Sequence, residues 1–420
     1  MNTSGLNSRQ ILLAVYGGLV AFCTYSCMYA FRKGYAVGTY DYLIFGMQAK
    51  VVFVVGQLMG YTISKFYGIR FISGLHPGNR MWLIIGLNMA AWVALLLFAI
   101  SPGPIQALAI FLSGIPLGLI WGLVFSFLEG RKTTELMGAF LCVSFIFSSG
   151  FVKTVAKWLQ INFDVPEAWV PFATGAVFIL PLLLFTWLLS RMPPPDANDI
   201  LSRSLRLPMN AEQRRSFITR FLPGLALLVC VYVMLTILRD IRDNFMADVW
   251  REHSIDHLPA LFTQTEVPSS IIILFLVGMM FLIKNNKIAF SVSLLLVMMG
   301  LLISTVATLL FQAQKINVVN WITFTGLGLY MGYIPFNIMV YERLIALLKE
   351  PVNIGFLVYI SDALGYLGSM GVLVVNEFTA VQATNWTIFL TKVLLWAGIA
   401  GGLFTLASWI YFSKKNRLYA

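Results

Sequence analysis

Apolar runs of about twenty residues recur along the whole chain, separated by short polar stretches. They lie near 11–31, 43–64, 81–100, 104–128, 136–158, 169–190, 219–240, 264–283, 288–311, 318–343, 352–377 and 386–412. A run of that length, wound as a helix, matches the ~30 Å hydrocarbon core of a bilayer. The pattern therefore predicts an all-α integral membrane protein with twelve transmembrane helices. The longest polar interruption is central, RMPPPDANDILSRSLRLPMNAEQRRSFITR from Arg191 to Arg220, with six arginines and four prolines. It divides the chain into an N-terminal six-helix bundle (1–190), a cytoplasmic linker (191–218) and a C-terminal six-helix bundle (219–420).

Composition agrees with the pattern. Hydrophobic residues make up 59% of the chain and charged residues 11%, against roughly 25% charged in soluble domains. The net charge of +11 raises the question of nucleic acid. Placing both termini in the cytoplasm puts nineteen of the 29 lysines and arginines on that side, as the positive-inside rule requires. The charge then serves topology and anionic lipid, with no nucleic-acid partner. The expected location is the inner (plasma) membrane, crossed many times. Cys23, Cys27, Cys142 and Cys230 sit in apolar segments without metal or disulfide spacing and read as small buried apolar groups. The N-terminus is too polar, and too short before the first span, for a cleavable signal.

Catalysis finds no support. The chain has no GxxxxGK[ST] loop and no nucleophile–base pair at one depth, so neither enzyme, cofactor nor metal is expected. His253 and His257 are four apart, but an exposed polar loop over Asp243 to Glu266 accounts for them. Pro116, Pro181 and Pro335 each remove a backbone bond inside a span, which a membrane tolerates only against protein or a wet cavity. The glycines at 326, 328 and 332, and at 365, 368 and 371, read as close helix packing, compatible with rocking.

Several charged residues interrupt the apolar runs. Arg32 and Lys33 end the first span, and Arg239 and Arg242 end the seventh, so both basic pairs close the first helix of their half. Such arginines either snorkel to the interface or face a central cavity, where the planar guanidinium suits phosphate or carboxylate. Lys65 closes the second span, facing the cavity or opening the next loop. Lys153 and Lys157 are four apart on one face of the fifth. Asp362 is read as the one acid clearly inside a span, marking either a coupling group or a structural ion pair. Glu129 and Arg131 after span 4, and Glu342 with Arg343 at the end of span 10, read as gate or loop-anchoring pairs.

Four segments carry a resemblance: YAFRKGYA (29–36), GYTISKFYG (60–68), ILRDIRDNF (237–245) and DALGYLGSMG (362–371). The twelve-span, two-half layout resembles the major facilitator superfamily. The four segments are similar to the organophosphate:phosphate antiporter family, which includes glycerol phosphate and hexose phosphate carriers. The resemblance implies two pseudo-symmetric six-helix bundles and alternating access. It also implies phosphate-holding roles for Arg32 and Arg239 and a place for Lys65 in the same site. Tyr29 and Tyr61, in the first two segments, and Lys153 complete the expected substrate-binding set. Asp362, Arg242, Glu342, Glu129 and Arg131 form the expected coupling and gating set. Three departures stand out. The loop KFYGIRFISGLHPGNR lacks the superfamily's acidic residue, the family's span-5 histidine has no match in CVSFIFSSGFVKT, and Asp362 is an additional acid.

The expected function is secondary active transport of a small anionic organic solute, an organophosphate first, by a monomer. The coupling ion is a proton or inorganic phosphate. The alternatives are a non-transporting membrane sensor on the same scaffold, or a carrier of a carboxylate or a peptidoglycan fragment.

Overall fold

The computed structural model describes residues 8–73, 77–195, 199, 211–348, 354–379 and 385–419. Most of the expected linker, with Arg203 and Arg206, lies outside these residues, as do His76 and Lys349. Twelve long helices account for nearly everything described. They are α1 (Ser8–Lys33), α2 (Ala49–Ser73), α3 (Arg80–Ile100), α4 (Gly103–Leu128), α5 (Thr134–Asn162) and α6 (Val170–Ser190), followed by α7 (Ala211–Glu252), α8 (Val267–Phe281), α9 (Asn286–Gln312), α10 (Val318–Pro335), α11 (Ile354–Thr379) and α12 (Trp386–Tyr419). Beyond Pro335 the chain continues as a π-turn, Phe336–Val340, and a short helix, Tyr341–Leu348. A two-stranded hairpin, Leu43–Ile44 against Met47–Gln48, joins α1 to α2.

Ten of the described helices are long and apolar enough to cross a membrane. The other two, α2 and α10, are less apolar because they carry Lys50, Gln57, Thr62, Ser64 and Lys65, and Asn320, Thr323 and Thr325 with three glycines. Polar side chains on a spanning helix must be covered by protein, and most of these face other helices. Capping fixes several helix starts. The Asn285 carboxamide oxygen accepts from the Lys287 and Ile288 amides, and Asn317 caps the amide of Asn320. Glu252, at the end of α7, accepts the Trp386 and Thr387 amides that open α12.

The long helices run alternately up and down, so the start of α1, the end of α6, the start of α7 and the end of α12 lie at one end of the molecule, called here the terminal end; the other is the far end. In the first half α1 packs on α5 and α6, and α2 and α3 on α4. In the second α7 packs on α11 and α12, and α9 on α10 and α12. Glycine permits the tightest of these contacts. A Cβ at Gly60 would lie 2.2 Å from the Phe111 carbonyl oxygen, and one at Gly114 2.4 Å from that of Gln57, so α2 and α4 meet backbone to backbone. Gly300 and Gly328 do the same for α9 and α10. The halves meet along two seams, α2 against α11 and α5 against α8 with the turn before it.

Four expectations are corrected. The seventh span does not end at 240, and the stretch after it is not an exposed loop throughout. Helix α7 runs on to Glu252 and starts at Ala211, inside the expected linker. Hydropathy falls after 240 because this part of α7 carries charges, yet Asp240, Arg242, Asp243 and Asn244 are buried by the other half and by neighbouring helices. Asp362 is thus one of several buried acids. Cys230 is also exposed, where a buried thiol was expected.

Candidate functional site

Arg32 and Lys33 are the last two residues of α1, and successive helical residues point about 100° apart. Their side chains accordingly go different ways. The Arg32 guanidinium sits between two tyrosine faces, 4.3 Å from the Tyr61 ring centroid and 5.6 Å from that of Tyr29. The residue is only 7% exposed. Among the described residues it takes part in no ion pair and no hydrogen bond; ring faces are its contacts. A planar five-donor cation, largely buried and without an acceptor among the described residues, is poised to receive one.

Across from it, Arg239 on α7 lies 4.2 Å from the ring of Tyr333 and 5.9 Å from that of Tyr366. Its Nε and Nη2 donate to Oδ1 of Asp240, at 3.2 and 2.7 Å. The other oxygen, Oδ2, accepts from Ser369 of α11 at 2.9 Å. Arg239 is therefore a paired cation where Arg32 is not.

One helical turn from Tyr61 toward the terminal end, Lys65 forms an ion pair with Asp362 of α11. Tyr232 of α7 donates to the second oxygen of the same carboxylate. Tyr61 and Tyr366, one turn back on α2 and α11, meet edge to face at 5.5 Å. The α2–α11 seam is thus a two-rung ladder, aromatic then ionic, on the terminal side of the arginines.

The far side is closed by a second charged cluster. Lys33 reaches Asp243 at 2.5 Å and the Asn244 carboxamide oxygen at 2.7 Å. Lys153 of α5 donates to Asp243 Oδ1 at 2.6 Å and to its backbone carbonyl at 2.7 Å, and Ser149 also donates to Oδ1. Lys50 pairs with Asp248 at 2.5 Å, Arg251 with Asp41 at 2.8 Å, and the Gln48 amide donates to Glu377 at 2.9 Å. Each of these contacts crosses between the halves.

The sequence-predicted residues thus separate into groups. Arg32, Arg239, Lys65, Tyr29, Tyr61 and Asp362 come together at the middle of the interface. Lys153 is fully buried but committed to Asp243 in the far-side cluster. Arg242 stays within its own half, donating to Glu266 at 2.7 Å and to the Ile322 carbonyl at 2.9 Å. Arg131 donates to the Pro193 carbonyl, tying the loop after α4 to the end of α6. Glu129 caps the terminal-side end of α4, and Glu342 lies in the first turn of the short helix Tyr341–Leu348. His253 bonds the Val249 carbonyl, and no group of three metal-ligating side chains occurs among the described residues.

Sequence reading missed Asp240, Asp243, Asp248, Tyr232, Tyr333 and Tyr366. The signal for the first two lay in RDIRD, where acids at i and i+3 share a helix face with basic neighbours. Ending the span at 240 concealed it.

Residues 34–415 match the model of a family of unknown function, DUF5690. The chain belongs to that family. No curated protein matches the sequence. Among solved structures, this DUF5690 chain is similar to the nucleoside transporter NupG, with 13% identity, TM-score 0.58, and 96% of this chain and 99% of that one covered. It is also similar to a bacterial homologue of the human lysosomal transporter Spinster in an inward-facing, unoccupied conformation, with 11% identity, TM-score 0.58, and 98% of each chain covered. A D-xylose–proton symporter aligns at 15% identity and TM-score 0.58, over 95% of this chain and 96% of that one. Likeness over whole chains at such low identity is a likeness of fold. The DUF5690 chain has the major facilitator fold and is a multi-pass membrane protein.

Proposed function

We propose that this protein is a secondary active transporter of a small anionic organic solute, an organophosphate foremost, working by alternating access and not by catalysis. The observation that carries the reading is Arg32, a buried guanidinium with no acceptor among the described residues, facing a second arginine across the interface between two halves. The neighbouring tyrosines add hydroxyls and ring faces suited to a polar organic body. The terminal end is assigned to the cytoplasm from the distribution of lysine and arginine. On that assignment the Lys33–Asp243–Lys153 cluster is an outer latch and the Lys65–Asp362 rung an inner one. Of the structurally similar proteins, one is a nucleoside transporter, one a D-xylose–proton symporter and one a homologue of a lysosomal transporter; none is named for an organic anion, so the substrate rests on the site.

Coupling follows from Asp362. Its carboxylate holds Lys65 when no anion does, and either remains a structural partner or takes a proton when the anion arrives. The test is flux into proteoliposomes of wild type and D362N, with and without internal anion, across pH 5.5 to 8. Proton symport gives net uptake driven by an inward proton gradient, lost in D362N while exchange persists. Anion exchange gives uptake that needs internal anion and ignores both. Stabilisation by a neutral solute, with silence toward phosphorylated sugars, glycerol phosphate, inorganic phosphate and carboxylates, would sink the anion reading.

A further inference from the structure

The two arginines at the centre of the interface are unequal, and the inequality has a cause in the sequence. Asp240 follows Arg239 directly and folds back onto it, occupying the Nε–Nη2 edge of the guanidinium through Oδ1. That edge is one of those that meet two oxygens of a carboxylate or phosphate side by side. Asp240 is itself only 3% exposed, and Ser369 of α11 holds its second oxygen. No described residue restrains Arg32 in this way.

Buried charge over the whole interface follows the same division. Among the described residues, the buried charged side chains of the N-terminal half are Arg32, Lys33, Lys50, Arg131 and Lys153, all cations. Those of the C-terminal half are Asp240, Arg242, Asp243, Glu266 and Asp362, four acids and one cation. Lys33, Lys50, Lys65 and Lys153 all take their counter-charge from across the interface. An incoming anion therefore meets an attractive N-terminal wall and a C-terminal wall whose carboxylates compete with it.

We propose that Asp240 sets the affinity of the site. It withholds Arg239, so that the anion is anchored on the N-terminal half by Arg32, and Arg239 joins as a second arm only when the anion displaces Asp240. The proposal rests on the anion-transport reading. A tethered carboxylate next to one arm weakens the bound state, and it also takes that arm back when the anion leaves. Ser369 positions Asp240 from α11, the helix that carries Asp362, so the withheld arm is linked to the helix that bears the Lys65–Asp362 rung.

The experiment uses the full-length protein and the anion that stabilises wild type most, chosen from inorganic phosphate, glycerol phosphate, glucose 6-phosphate and glucuronate. Equilibrium binding and proteoliposome counterflow are measured for R32A, R239A, D240N and S369A. Asp240→Asn is expected to tighten binding about tenfold, the scale of one charge-assisted hydrogen bond regained. Its counterflow should show a lower KM together with a lower kcat, because release slows. Ser369→Ala should move both quantities the same way by less. R32A should lose binding by more than about 100-fold, and R239A by less than about tenfold. Tighter binding cannot arise from misfolding, which keeps D240N decisive. If D240N elutes and melts like wild type but binds the anion equally or more weakly, the proposal is overturned. Equal losses in R32A and R239A would also overturn it. If no anion binds wild type, the transport reading itself fails and takes the proposal with it.

Discussion

Asp362 shows how much one side chain commits at this interface. It takes Lys65 from one half and Tyr232 from its own, and the residue is 6% exposed. Buried ion pairs add little net stability, but removing one partner strands the other charge at a cost of about 3–5 kcal/mol. Lys65→Met should therefore lower thermal stability in detergent by about 3 kcal/mol. The K65M/D362N double variant should recover most of that loss, because the stranded carboxylate is gone. Additive losses in the double variant would mean that the pair is not coupled. Tyr232→Phe removes one hydrogen bond and should cost about 1–2 kcal/mol, since the acceptor is an ionised group.

At the scale of helices, close approach is what the small residues provide. No side chain fits at Gly60 or Gly114 without driving α2 and α4 apart, because the obstacle in each case is backbone. Gly371 on α11 has nothing within 4 Å of the position a Cβ would take. Gly114→Val should therefore destabilise by about 1–3 kcal/mol, whereas Gly371→Ala should be neutral or slightly stabilising, as replacing a helical glycine generally is. Melting temperatures in one detergent decide the matter; equal effects at the two sites would show that helix propensity and not packing dominates. The π-turn after Pro335 belongs to the same scale. Proline withholds its amide from the ladder and the helix absorbs the defect by widening for one turn. That turn carries Phe336 and Asn337, which pack beside Tyr232 and Tyr333 at the site.

For the whole molecule, closure at the far end depends on Asp243 more than on any other residue. Two buried lysines share that one carboxylate. Asp243→Asn leaves Lys33 and Lys153 facing each other with only neutral acceptors, and the arrangement that brings them together becomes the costly one. Distances between spin labels at the far ends of α1 and α7 should then lengthen in D243N relative to wild type; an unchanged distribution would remove the latch from the mechanism. The Asp41–Arg251 pair is a contrast. Hydrogen bonds from Arg251 hold the Asp41 carboxyl below the usual carboxylate range, so its contribution is present above about pH 4 and fades as pH falls through the lowered value. Both side chains are at least half exposed, which limits the pair to under about 1 kcal/mol. Arg251→Ala should barely change melting between pH 5 and 8.

Hydropathy alone was enough for the helical class and the number of long helices. Those properties follow from how much apolar surface each segment carries, and that is additive along the chain. Arg32, Arg239, Lys65 and Asp362 were also legible, because a charge inside an apolar run has few structural excuses. What the one-dimensional pattern did not carry is pairing. Asp240 and Asp243 sit in the same RDIRD run as the arginines, yet one restrains Arg239 beside it and the other holds two lysines from the opposite half. Lys33 and Arg32 are neighbours in sequence and part company because a helix turns about 100° per residue. Whether a buried charge is free or answered depends on residues roughly two hundred positions away, such as Lys33 and Asp243. Only the tertiary structure brings them together, because an ion pair is a property of distance in space and not of either residue.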